Sequence, residues 1–163
     1  MSLKEVTWNP TKQIKNQQTG INVLHTKRSP IMDFKNKIAK SLVLALTYVN
    51  ESIKAVDKED YKMLADNVWH LAAELEYALF LLTITIEREH DKSSWTPGPG
   101  IKSRELRPTL DQTKDLIRKI TSQMSDNELL DACENTFQAR KNVLCVQKYL
   151  ERKNKRVLRN RKD

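Results

Sequence analysis

The chain has very little of what irregular, disulfide-stapled or metal-organised proteins depend on. Glycine stands only at Gly20, Gly98 and Gly100 among 163 residues, too few to turn the many short strands of a sandwich or barrel. Cysteine occurs only at Cys133 and Cys145. Both fall within one expected helix, about 18 Å apart at about 1.5 Å per residue, which excludes a disulfide between them. That spacing also fits no zinc-ligand pattern, so they read as small apolar fillers in a reducing compartment. No apolar run approaches the roughly 20 residues of a membrane span, and Met1 to Pro10 lacks the apolar stretch of a secretory signal. The expectation is a soluble, cytoplasmic chain without membrane contact.

Catalytic signatures are missing as well. There is no Gly-rich phosphate loop, no Gly-x-Ser-x-Gly elbow and no local Cys-His signature. Small helical RNases place an Arg four to six residues before a His; Arg88 stands too close to His90, and no Arg holds that spacing before His25 or His70. Asp66, His70 and Glu74 follow at one-turn intervals, so a metal between them competes as a reading with a hydrogen-bonded polar flank. Carboxylate-bridged bundle sites take a Glu-x-x-His pair from each of two helices, and Glu87 with His90 is the only such pair in the chain. The expectation is therefore no enzyme, no catalytic residue, no cofactor and no metal.

What the chain has in excess is positive charge, a formal +8, and its distribution matters more than its size. Lys4, Lys12, Lys15, Lys27 and Arg28 against Glu5 give residues 1–30 a charge of +4. Arg152, Lys153, Lys155, Arg156, Arg159, Arg161 and Lys162 against Glu151 and Asp163 give residues 151–163 a charge of +5. The remainder is −1, a near-neutral body between two basic ends. Such clusters suit phosphates, whose neutralisation releases counterions and makes affinity salt-sensitive. The competing readings of the tail are a frayed, solubilising end and a site for acidic protein surfaces. Anionic lipid fits least, because Val157 and Leu158 are the tail's only apolar residues.

Hydrophobic periodicity places helices in the body. Residues 1–29, interrupted by Pro10 and Gly20, read as an extended arm, with short strand pairing near Ile21 to His25 as one option. Ser29 and Pro30 open a helix to about Val56, with a stripe of Phe34, Ile38, Leu42, Ala45, Val49, Ile53 and Val56 widened by Leu44 and Leu46. After a tight turn capped by Asp57, a second helix runs to about Glu89 with Tyr61, Leu64, Val68, Leu71, Leu75, Leu79, Leu82 and Ile86 inward. Between Tyr77 and Ile86 it is apolar nearly all round, which marks either the centre of a bundle or an oligomer interface. Residues 91–107, with the run Trp95-Thr96-Pro97-Gly98-Pro99-Gly100, break the helical pattern and form a loop of the length associated with function or mobility. Pro108 opens a third helix with Leu110, Thr113, Ile117, Ile120 and Met124 on one face and Lys114, Arg118 and Lys119 elsewhere. A Ser125 and Glu128 capping box opens a fourth, with Leu129, Cys133, Phe137, Leu144 and Leu150 inward, continuing into the basic tail.

The fold expected is all-α: a helical bundle of about four helices, as two αα-hairpins, with an extended N-terminal arm and a basic C-terminal helix extension. The arm is 1–29, the bundle 30–150 and the tail 151–163. In size, helix content and charge the chain resembles two groups of ribonucleoprotein components, the small helical subunits of CRISPR effector complexes and the basic bundle proteins that accompany diversity-generating reverse transcriptases. No motif is matched residue by residue, and no site is carried over.

The expected function is a non-catalytic accessory subunit binding RNA or single-stranded DNA within a larger assembly, docked on protein through its bundle. Arg152, Lys153, Lys155, Arg156, Arg159, Arg161 and Lys162 would neutralise phosphates, and Lys12, Lys15, Lys27 and Arg28 would add a second anchor. Trp95 beside Lys102 would stack on an unpaired base, or else tuck over the bundle end; Trp8 carries a similar choice. The alternative is a helical scaffold or homo-oligomer that binds protein partners through the apolar second helix.

Overall fold

The computed structural model describes the backbone of residues 30–89 and 105–160, and side chains within 32–87 and 105–156. Readings that fall on 1–29, on 90–104 and on 161–163, including the strand near Ile21, lie outside the described residues. The fold is all-α. Four helices follow in order: α1 (Pro30–Asp57), α2 (Tyr61–Glu89), α3 (Leu106–Ser125) and α4 (Leu129–Asn160), with no strand among the described residues.

Each helix buries a seam of residues spaced alternately three and four apart. On α1 the seam is Ile38, Leu42, Ala45, Val49 and Ser52; on α2 it is Leu64, Val68, Leu71, Leu75, Ala78 and Leu82. On α3 it is Leu110, Thr113, Ile117 and Ile120; on α4 it is Leu129, Ala132, Thr136, Ala139, Val143, Val146 and Leu150. A repeat near 3.5 residues keeps the seam facing its neighbour when helices cross at shallow angles, which is the geometry of a bundle. The buried threonines Thr85, Thr113 and Thr136 fit this seam because each hydroxyl donates to the carbonyl one turn back.

α1 packs on α2 and α3, and α4 packs on the same two helices, so α1/α4 and α2/α3 are the diagonals. Cross-links fix the polarity. Arg107 at the start of α3 bonds Asp57 at the end of α1, and Lys35 near the start of α1 donates to Asn127 beyond the end of α3 at 2.7 Å. At the end of α4, Lys153 lies over the ring of Tyr61 at the start of α2. Every adjacent pair is therefore antiparallel. The order is up, down, down, up, and the connection from α2 to α3 joins opposite ends of the bundle.

Both short turns use one device. After α1, the Glu59 and Asp60 amides donate to the Val56 and Ala55 carbonyls while Glu59 sits at φ 55. After α3, the Glu128 amide donates to the Gln123 carbonyl and Asn127 sits at φ 61. This is the left-handed cap that ordinarily recruits glycine, filled here by Glu and Asn. It also corrects the expected caps. Asp60, not Asp57, caps α2, accepting the Met63 amide at 2.9 Å, because the left-handed residue shifts the new helix three positions along. Ser125 forms no capping box: it is the last residue of α3 and its hydroxyl donates to the Thr121 carbonyl. α3 opens two residues earlier than expected, with Pro108 as its third residue, where a missing N–H costs no helical hydrogen bond.

Three burial expectations also change. Leu44 and Leu144 are exposed rather than inward; the α4 seam runs instead through Ala132, Ala139, Val143 and Val146, small residues that let neighbouring helices approach. Leu81, expected on the far side of α2, is buried. By length and composition alone α2 comes nearest to a membrane span, with an 18-residue window inside Tyr61–Glu87 reaching a mean hydropathy of 1.2, 39% of that window buried. That apolarity is divided between the core seam and an outer face carrying Trp69, Tyr77 and Phe80.

The left-handed position costs a side chain with Cβ about 1 kcal/mol or more, whereas Asn tolerates it better. Glu59→Gly is therefore expected to raise stability by about 0.5–1 kcal/mol, after the entropy that glycine loses on folding, and Asn127→Gly by less. Asp60→Ala is expected to lower it by about 1 kcal/mol through loss of the cap. Midpoints of chemical denaturation at constant m-value report all three.

Candidate nucleic-acid interface

Among the described side chains the last buried residue of α4 is Leu150, yet the helix continues to Asn160. Residues 151–160 thus extend about 15 Å beyond the last core contact. Of the described side chains beyond Leu150, Glu151 to Arg156, none is apolar. From Glu151 to Arg156 only Lys153 is partly covered, by the Tyr61 ring.

At about 100° per residue, Lys148, Arg152, Lys155 and Arg156 share one face of α4 in a row of i, i+4, i+7 and i+8 positions. Neighbours in such a row stand about 5–6 Å apart at Cβ, close enough to act on successive charges of one ligand. Arg159 lies one turn further along, with its side chain outside the described residues. The row borders a groove of about 740 Å³ between the first turn of α3 and α4. Leu106, Thr109, Cys145 and Val146 form its apolar floor, and Tyr149, 39% exposed, presents a ring beside Arg152. Four lining residues are cationic, Lys148, Arg152, Lys153 and Arg156, against the single carboxylate of Glu105, so the groove is positive. The amino-terminal end of α3 adds its partial positive charge to the same place.

Elsewhere in the body five cations are seen in ion pairs, whereas Lys40, Lys58, Lys62, Lys114 and Lys119 form none among the described residues. Lys37 holds Asp33 and Lys54 holds Glu51, both at 2.7 Å, while Arg118 stands 3.8 Å from Asp115. Arg107 bonds Asp57 and Asp111, and Arg140 bonds Glu76 across the α2/α4 contact. Lys148, Arg152, Lys155 and Arg156 also form no ion pair with any other described residue, and they alone stand together in one row beside a groove. The bundle therefore gathers Arg152, Lys155 and Arg156, which the sequence singles out, and turns Lys153 partly toward Tyr61. Lys12, Lys15, Lys27, Arg28, Trp95, Lys102, Arg161 and Lys162 lie outside the described residues. α1 begins at the end of the bundle opposite the overhang, so the arm is attached at the far pole from the tail.

Lys148 and Tyr149 belong to this site but do not stand out in sequence, because they precede the basic run. The signal was there in the helical period: stepping back four residues from Arg156 and Arg152 lands on Lys148. Of the Asp66, His70 and Glu74 set, His70 and Glu74 are otherwise engaged. His70 stacks on Tyr48 with ring centroids 5.0 Å apart, and Glu74 accepts from Ser41 with both its carboxylate and its main-chain carbonyl. Among the described residues no three His, Cys, Asp or Glu side chains come together as a metal site.

The two thiols differ. Burial pushes the Cys133 thiol up, and a hydrogen bond with Thr83 offsets part of that rise; Cys145 is exposed in the groove. A raised pKa leaves less thiolate at any given pH. Near neutral pH Cys145 is therefore expected to react with a maleimide or disulfide reagent well ahead of Cys133, read by peptide mapping of partially labelled protein. In comparisons with family models, curated proteins and solved structures nothing matches the chain, so the site is read from its own residues alone.

Proposed function

We propose that this chain binds single-stranded nucleic acid along the basic face of α4, as a non-catalytic accessory subunit of a larger ribonucleoprotein or nucleoprotein assembly. One observation carries the reading: a helix that outruns its own core and bears a row of cations without carboxylate partners among the described residues. Lys148, Arg152, Lys155 and Arg156 neutralise successive phosphates, and the counterions released supply most of the affinity. Arg152 and Arg156 each offer a planar fork that binds a phosphate bidentately.

Tyr149 supports the single-stranded preference. An exposed ring beside a phosphate-binding Arg offers a stacking surface to an unpaired base, which a duplex does not present. The groove floor below it, from Leu106 to Val146, covers the far side of a base with apolar surface.

The test is fluorescence anisotropy with short labelled RNA and DNA, single- and double-stranded, across a salt series. Removing three phosphate contacts with Arg152→Gln, Lys155→Gln and Arg156→Gln is expected to weaken binding by tenfold or more at low salt. It should also flatten the log–log salt slope by about 2, at about 0.7 per phosphate on single strands. Tyr149→Ala is expected to weaken single strands by about tenfold and duplexes much less. Unchanged affinity in the triple variant would overturn the proposal, and retention of an acidic protein instead of nucleic acid would reassign the row.

A further inference from the structure

On α2 the side turned away from the core is not the polar face of an ordinary surface helix. Trp69 is 65% exposed, Phe80 60% and Tyr77 45%, with Ala73 exposed between them and Ile84 half-buried beyond. At about 100° per residue these five positions lie within an arc of about 80°, which makes them one continuous row. Lys62 closes the row at one end and Glu87 at the other, both exposed.

We propose that two copies of this chain pair through this row, with the two α2 helices antiparallel about a two-fold axis level with Leu75. The pattern is self-complementary only in that direction. Pairing positions whose numbers sum to 149 or 150 sets Trp69 against the partner's Phe80 and Ala73 against the partner's Tyr77. The same register sets Lys62 against the partner's Glu87, and the two-fold repeats each of these pairs. A parallel pairing in register would place Lys62 on Lys62 and Glu87 on Glu87, repelling at both ends.

The middle of the contact fits for two reasons. Ala73 is the smallest side chain in the row, so helices approach there and seat the Tyr77 ring against it. Glu76, which borders the row, is already neutralised by Arg140 of its own chain. Asp66 falls within the same arc between Lys62 and Trp69, one turn from Lys62, an i,i+4 spacing that keeps the two charges near each other. Aromatic residues grouped at the centre with opposite charges at the rim is the arrangement of a specific protein contact. This inference is independent of nucleic-acid binding, since the row lies on α2 and the basic row on α4.

The experiment is sedimentation velocity of the full chain over a micromolar concentration series, after nuclease treatment and a high-salt wash to strip nucleic acid, and then at low ionic strength so that the rim pairs are not screened. A reversible dimer is expected. Phe80→Glu and, separately, Trp69→Gln are expected to yield monomer with unchanged helicity by circular dichroism; both side chains are exposed, so loss of fold is not the expected cost. Lys62→Glu and Glu87→Lys are each expected to raise the dimer dissociation constant about tenfold, because each creates two repelling pairs per dimer, and combining them should restore it. A monomeric wild type overturns the proposal, as does a dimer indifferent to Phe80→Glu. A monomer whose α2 face binds a hydrophobic dye only after deletion of residues 1–29 would assign that face to the arm and likewise overturn it. Dimers lost on single reversal but not regained in the double variant would exclude this antiparallel register.

Discussion

Burial of four seams with a 3.5-residue repeat is the constraint on which the rest of this molecule depends. It holds neighbouring helices nearly parallel in axis and opposite in direction, and it determines which side chains are left for anything else. Where the seam is interrupted, as at Thr113 and Thr136, a local hydrogen bond satisfies the polar atom and the repeat continues. Leu150 is the last buried residue of α4 among the described side chains, and the helix goes on beyond it with Arg152, Lys155 and Arg156 exposed.

Charge is sorted by the same geometry. In the body, Arg107 and Arg140 each tie one helix to another through a carboxylate, and these exposed or partly exposed pairs contribute more to register than to stability. At the α4 end the acidic supply runs out, and Lys148, Arg152, Lys155 and Arg156 face solvent beside a shallow apolar floor. Two surfaces of opposite character result, a cationic row on α4 and an aromatic row on α2. Helices α2 and α4 are neighbours, so one molecule presents both without either interfering with the core.

Much of this was legible in the sequence, for definite reasons. Helix identity followed from long apolar periods and the start of α1 from Ser29 and Pro30, and the apolar outer face of α2 followed from apolar residues at nearly every angular position between Tyr77 and Ile86. The errors came where size or chemistry was read without register. Leu144 looked like core because it is large, whereas the α4 seam runs through Ala139 and Val143 at the required angle. Asp57 and Ser125 have capping side chains, but a left-handed residue after each helix moved the next cap beyond them. Lys148 and Tyr149 were hidden because they join the basic row only through the turn of the helix. Helix polarity across the diagonal left no trace in any local motif, since it is set by which seams meet.

That polarity has a consequence for the chain between α2 and α3. With its two anchor points at opposite poles, the connection has to bridge roughly the length of the 29-residue α2, about 43 Å. Residues 90–105 supply at most about 53 Å when fully stretched, at about 3.3 Å each. A connection shortened below about 13 residues could not span that distance, and the second hairpin would then have to dock upside down or onto another molecule's first hairpin.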